Sequence, residues 1–214
     1  MLPYIYRCMT AEGLGRIWAR RFLVLADKHL FNIESSRVDE SLYLPFAEGA
    51  LSAGVLAEEE VPVYMRRIEV ARKNRPGSKA TDFDFRLPNG MLASLYGIRC
   101  EFTLVLFHDP ECENCCRTLY ELVDNDIIRK LISDGRLAAM MVYTEGETGV
   151  WEKHRSETPR GWINCFDDGE DIRRRMLYAL RALPSIYLMD KGKVVLLKDA
   201  KPGELIRFLE GYVK

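Results

Sequence analysis

The sequence predicts an α/β protein with a central mixed sheet flanked by helices, preceded by an α-helical N-terminal region. Three observations predict this. In the first third, apolar residues recur at helical spacing. From about residue 83, apolar strand-like runs alternate with amphipathic helical ones. One run, Phe102 to Phe107 (FTLVLF), is apolar on both faces, as a central strand covered by helices is.

In the N-terminal region, Leu14, Trp18, Phe22 and Leu25 recur as the buried stripe of an amphipathic helix would. Pro45 is expected to break the next helical stretch. A further helix is expected from about Leu56. Glu58, Glu59 and Glu60 would complement its N-terminal dipole, and Tyr64, Ile68 and Ala71 would form its apolar face. Asn74-Arg75-Pro76-Gly77-Ser78 is dense in breakers and reads as a linker, dividing residues 1–76 from residues 77–214.

Phe83, Phe85 and Leu87 alternate with polar residues as a half-buried strand does, and Pro88-Asn89-Gly90 turns it. The strand Phe102 to Phe107 is followed by one helix from about Asn114 to Ile132, with Leu119, Leu122, Ile127 and Leu131 inward. Leu137 to Tyr143 is another strand. A longer polar connection then carries Trp151, His154 and Trp162, with a short helix around Asp171 to Leu180. Pro184 to Met189 and Val194 to Leu197 form a hairpin about Lys191-Gly192-Lys193, and Pro202 to Tyr212 closes the chain as a helix. The order is a βαβ unit followed by a ββα unit.

The strand at Phe102 runs directly into His108-Asp109-Pro110-Glu111-Cys112-Glu113-Asn114-Cys115-Cys116. A Cys-x-x-Cys pair between a buried strand and a helix N-terminus is where a thiol becomes a nucleophile, because the helix terminus favours the thiolate and the second sulfur can close a disulfide. Two reduced core cysteines or a zinc site are the other readings. Zinc wants four ligands, and the nearest extra candidates are Cys116, His108 and Cys165.

The 214-residue chain is 48% hydrophobic and 29% charged, as ordinary globular proteins are, and its net charge of −1 gives no reason to propose a nucleic-acid partner. No apolar run approaches the roughly 20 residues that span a bilayer, and Phe22 to Ala26 is too short for a signal-peptide core. Six scattered cysteines do not suggest a disulfide scaffold.

The chain resembles thioredoxin-fold proteins, nearest to the TlpA/ResA-like group of extracytoplasmic thiol-disulfide oxidoreductases and to Bacteroidetes thioredoxin-like proteins with a helical N-terminal extension. The resemblance rests on LVLFHDPECENC, on Trp162-Ile163-Asn164 with Asp167-Asp168, and on Ala182-Leu183-Pro184-Ser185-Ile186-Tyr187-Leu188-Met189-Asp190. It implies a thioredoxin-like fold over residues 77–214, an exposed attacking Cys112, a buried resolving Cys115, and a cis Pro184 facing them. Backbone groups of Leu183 would then grip an extended substrate segment. It further implies protein disulfide or thiol substrates, a redox partner supplying electrons, no cofactor and no bound metal. It places the protein in the periplasm or cell envelope with the leader missing from this sequence; a cytoplasmic home fits the residues equally well.

Around the pair, Asp109, Glu111 and Glu113 disfavour a thiolate, which points to a reductase. Cys116 stands where the family usually has Lys or Arg; it reads as a buried small hydrophobe ahead of a third redox partner. His108 could assist proton transfer, though an incidental strand-end residue is the plainer reading. Cys8, Cys100 and Cys165 read as core or semi-buried. Two other classes stay open: a non-catalytic adaptor, and a thiol peroxidase for which Arg117 and Thr118 are present in the wrong arrangement.

Overall fold

The computed structural model describes residues 15–32, 35 and 38–212. Leu14 and Cys8 lie outside these. The chain divides after Arg72 into two compact units. Among the described residues no helix is long and apolar enough to cross a membrane.

The first unit contains α1 (Gly15–Ala26), a π-helical turn (Asp27–Phe31), α2 (Glu40–Ser52) and α3 (Val61–Arg72). Tyr64, Ile68 and Ala71 are the buried face of α3 as expected. The expected stripe of α1 is corrected: Trp18, Phe22 and Leu25 are exposed, and Gly15, Ala19, Leu23 and Ala26 are buried. Ala19, Leu23 and Ala26 belong to the cluster that holds Tyr43, Ala47 and Ala71, so the packed face is the expected stripe displaced by one residue, about 100° round the helix. Pro45 lies inside α2 and does not end it. The Asp39 carboxylate caps the helix by accepting from the Ser41 and Leu42 N–H groups, and buried Tyr43, Leu44 and Ala47 hold the segment against the lost backbone bond. At the centre, Asp27 accepts from the hydroxyls of Tyr43 (2.9 Å) and Tyr64 and pairs with Arg67 at 3.2 Å.

The second unit is a seven-stranded sheet in the order β2-β1-β5-β4-β3-β6-β7. Its strands are β1 (Asp84–Arg86), β2 (Leu92–Ser94), β3 (Phe102–His108), β4 (Leu137–Tyr143), β5 (Trp162–Phe166), β6 (Ser185–Asp190) and β7 (Val195–Lys198). The helices are α4 (Glu113–Val123), α5 (Asp126–Ser133), α6 (Thr148–His154), α7 (Asp171–Arg174) and α8 (Pro202–Glu210). β3 is buried along its whole length between β4, which is parallel to it, and β6, which is antiparallel. Its alternating side chains serve two layers. Phe102, Leu104 and Leu106 pack with Leu122, Leu131, Leu205 and Leu209 from the helices; Val105 and Phe107 pack with Phe83, Phe85, Leu95 and Tyr178.

Three expectations change. The helix after the cysteines is two helices, because the Asn125 side chain accepts from the N–H groups of Ile127 and Ile128 and starts a new one; Ile128, not Ile127, is fully buried. The polar connection after β4 is not all loop, since it contains α6; the strand that the resemblance implies at Trp162-Ile163-Asn164 is present as β5, which pairs with β4. The segment at Asn74–Ser78 is not a free linker. Gly77 N–H donates to Val195 O (2.8 Å), Ser78 O accepts from Val195 N–H (2.9 Å), and Lys79 bridges Val194.

Asn74 ties this segment down: its side chain donates to Leu177 O (2.8 Å) and accepts from Thr81 N–H (2.7 Å), while its own φ is 51°. Asn74→Ala leaves both partners unmatched and puts a Cβ-bearing residue without local polar support at positive φ. It should lower stability by about 2–3 kcal/mol. Urea unfolding of the full chain measures this, and a loss below about 0.5 kcal/mol would contradict it.

Candidate active site

β3 delivers the chain at His108 to a short loop that ends on Cys112, the N-cap of α4, with extended backbone (φ −89°, ψ 116°). Asp109 shapes the loop: its Oδ1 accepts from Glu111 N–H (2.9 Å) and its carbonyl accepts from Cys112 N–H (3.1 Å). Cys112 Sγ accepts from Cys115 N–H at 3.4 Å, so an N–H of the first helical turn points at that sulfur. Cys112 is half-buried, Cys115 is buried, and both are free thiols.

Burial pushes the Cys115 thiol up to about 12. A hydrogen bond from the Asp109 backbone N–H works against this, while the contact with Cys112 and the charge of Asp109 add to it. The three acids of the loop are therefore unequal. Glu111 pairs with Lys153 (3.1 Å), which holds its carboxyl below the usual range. Glu113 sits in the first turn of α4, where it complements the helix dipole. Asp109 is the loop acid whose charge acts on both Cys115 and Cys116.

The Leu183–Pro184 peptide is cis. Ser185 pairs with Phe107 across β6 and β3, which brings Pro184 level with His108 at the root of the cysteine loop. Ser185 Oγ donates to Asp199 Oδ1 (2.6 Å), and Arg181 lies 3.4 Å from the other carboxylate oxygen, so the proline is flanked by residues tied to one carboxylate. Leu183 is partly buried against the Phe83 layer.

Cys116 is not the buried hydrophobe expected. About 100° round the helix from Cys115, it is half-buried, and its thiol donates to Pro110 O at 3.1 Å. His108, at the end of β3, is 4% exposed and lines a groove shared with Cys116. Burial lowers its pKa to about 4, with His154 adding to that and Asp109 opposing it. Cys165 is buried in the layer of Phe83 and Phe85, on the opposite face of the sheet from Leu104 and Leu106. Among the described residues no three His, Cys, Asp or Glu side chains are grouped as metal ligands. Cys100 is half-buried and donates to Gly135 O (3.2 Å). On α4, Thr118 is buried while Arg117 is exposed and bonded to Asn114, so the two do not converge on a thiol.

Lys153, His154, Glu157 and Asp199 belong to this site region and carried no sequence signal. Each reaches it from an element distant in sequence. His154 Nδ1 lies 3.0 Å from Glu157 Oε2, and its Nε2 is 3.8 Å from Glu111 Oε1.

A dithiol at a helix N-terminus, beside a cis-proline that opens a central antiparallel strand, defines a thioredoxin-like protein. No family model and no curated protein matches the sequence. Among solved structures, a thioredoxin-like protein from Bacteroides caccae is similar over 97% of this chain and 75% of its own, at 33% identity and a TM-score of 0.90. The C-terminal domain of a Bacteroides fragilis protein is 34% identical over 64% of this chain and 98% of its own, with a TM-score of 0.62. A domain of a possible thiol-disulfide isomerase from Cytophaga hutchinsonii is 26% identical over 66% of this chain and 95% of its own, with a TM-score of 0.57. The chain belongs to the thioredoxin-like family of Bacteroidetes proteins that these structures represent.

The buried imidazole of His108 sets a pH dependence. Its folded-state pKa of about 4 lies below the ordinary 6.5, so between those values the unfolded chain takes up a proton that the folded chain refuses. This contribution to stability is complete above the upper value and falls with pH towards the lower one, by on the order of 3 kcal/mol. Urea unfolding at about pH 7 and about pH 4.5 should show a smaller loss in His108→Gln than in the parent. Equal losses in the two proteins would contradict the assignment.

Proposed function

We propose that the chain is a thiol-disulfide oxidoreductase acting on protein disulfides, and that it runs as a reductase. The reading rests on one observation: two free thiols at the N-terminus of α4, with the cis Leu183–Pro184 segment level with the loop that carries them. The name of the Cytophaga relative supports the same class of chemistry.

Cys112, the more exposed sulfur, attacks one sulfur of the substrate disulfide as a thiolate. The substrate S–S bond breaks, a Cys112–substrate disulfide forms, and the departing substrate sulfur takes up a proton. Cys115 then loses its proton and attacks the Cys112 sulfur. The internal Cys112–Cys115 disulfide forms and the second substrate thiol leaves. The Cys115 N–H lies where it can donate to charge developing on Cys112. The Leu183 backbone would align the substrate segment alongside. A redox partner returns two electrons as a dithiol, and the chain's own residues need no cofactor. By likeness to its relatives the protein works in the periplasm or cell envelope.

The charge of the loop supports that direction. Asp109 raises both the Cys115 and the Cys116 thiols, and negative charge beside the pair withholds the thiolate stabilisation of the dithiol state that makes a pair oxidising.

Insulin reduction by the parent protein with a dithiol donor should be abolished in both Cys112→Ser and Cys115→Ser, the latter accumulating a mixed disulfide. An inactive parent would favour a binding adaptor instead. The midpoint potential of the pair should lie below about −180 mV, the value of protein disulfide isomerase; a potential above roughly −150 mV overturns the reductase direction. Asp109→Asn should raise the potential by on the order of 10–30 mV, and an unchanged potential would remove Asp109 from the account.

A further inference from the structure

Behind the cysteine loop lies a groove that the exchange steps leave unused. Cys116 and Leu119 of α4, Tyr143 at the end of β4, Trp151 of α6 and His108 at the end of β3 line it. The rim is the cysteine loop itself, since the Cys116 thiol donates to Pro110 O and Cys116 N–H donates to Cys112 O (3.0 Å). A chain bound across Cys112 therefore passes the mouth of this groove.

Its size restricts the occupant. The space inside is about 60 Å³. One water needs about 10–15 Å³ of such space, so the groove takes roughly four to six non-hydrogen atoms. Ligand clefts of about 300–1,000 Å³ hold free small molecules, whereas this space holds one amino-acid side chain.

Its polar groups restrict the chemistry. The His108 imidazole has no hydrogen bond among the described residues, although it is 4% exposed. His154 Nε2 is buried in the same groove, 3.8 Å from Glu111 Oε1 and beyond hydrogen-bond length. A buried donor or acceptor left at that distance is open to a closer partner. A neutral imidazole offers one donor and one acceptor. Glu157 in the lining and Asp109 beside it disfavour an anion, Glu111 being paired with Lys153, and an ammonium would be desolvated against a neutral imidazole. An uncharged tip that both donates and accepts, on an apolar stem against Leu119 and Trp151, satisfies every wall. Glutamine and asparagine have that size and chemistry.

We propose that this groove is a specificity pocket for a carboxamide side chain, glutamine or asparagine, flanking the cysteine of the polypeptide that Cys112 attacks. It rests on the exchange reading above.

The test uses the reduced full chain and alanine-based peptides with one cysteine blocked as its mixed disulfide with 2-mercaptoethanol. Glutamine, asparagine, leucine, glutamate, lysine or tryptophan is placed in turn at each flanking position. 2-Hydroxyethyl disulfide, which has no side chain to offer, reports exchange alone. At one flanking position glutamine or asparagine should react about tenfold faster than alanine or any other replacement, as a site built around hydrogen bonds discriminates. His108→Phe, which keeps the bulk and removes the bonds, should bring that ratio to within about twofold. Cys116→Met, filling the groove from α4, should do the same if His108→Phe does not fold. Equal rates for all peptides overturn the proposal. So does leucine matching glutamine, or a carboxamide preference that survives the folded variants. A parent that fails to reduce 2-hydroxyethyl disulfide would instead bring down the exchange reading, and the pocket with it.

Discussion

The burial of β3 between a parallel and an antiparallel neighbour is the constraint on which the rest of this site depends. A strand with no exposed edge and no exposed face has one register, because a slip by one residue would send Leu104 and Leu106 into the Phe83 layer and Phe107 into the helical one. That register has two consequences at the same end. It aims the chain into the loop ending at Cys112, and through the Phe107–Ser185 pairing it brings Pro184 to the root of that loop. The two halves of the site are separated in sequence but held by one ladder of backbone hydrogen bonds.

Electrostatics divides the three cysteines that the motif places side by side. Cys112, as N-cap, faces a helix N–H; Cys115 turns into the core, where desolvation dominates; Cys116 turns outward into a separate groove. A rotation of 100° per residue thus gives neighbouring thiols unrelated surroundings. The acidic loop is similarly resolved by its partners. Glu111 meets Lys153 from α6, and what remains to act on the buried thiols is the charge of Asp109.

Much of the architecture was legible in local pattern. Period-two alternation marked Phe83 and Phe85, the double-sided apolar run marked β3, and Tyr64, Ile68 and Ala71 marked α3. Where the pattern misled, a competing interaction prevailed. Asn125 caps a new helix inside what reads as one. Asp39 and a buried face carry α2 through Pro45. In α1 the face at Ala19, Leu23 and Ala26, one residue round from the pattern's larger stripe, packs in the cluster of the first unit. Backbone bonds to β7 hold the segment at Asn74–Ser78 that reads as a linker.

By itself the sequence determined the class of fold and the chemistry at its centre: a strand feeding a Cys-x-x-Cys helix, and a proline opening a later strand. These are local signals, carried by residue types and their order along the chain. Only the tertiary structure decided which acid still acts on the thiols, that His108 is buried and neutral, and that Cys116, Trp151 and His154 enclose a groove with it. Those properties arise from desolvation and from partners supplied by distant segments, and neither is written in the spacing of residues along the chain.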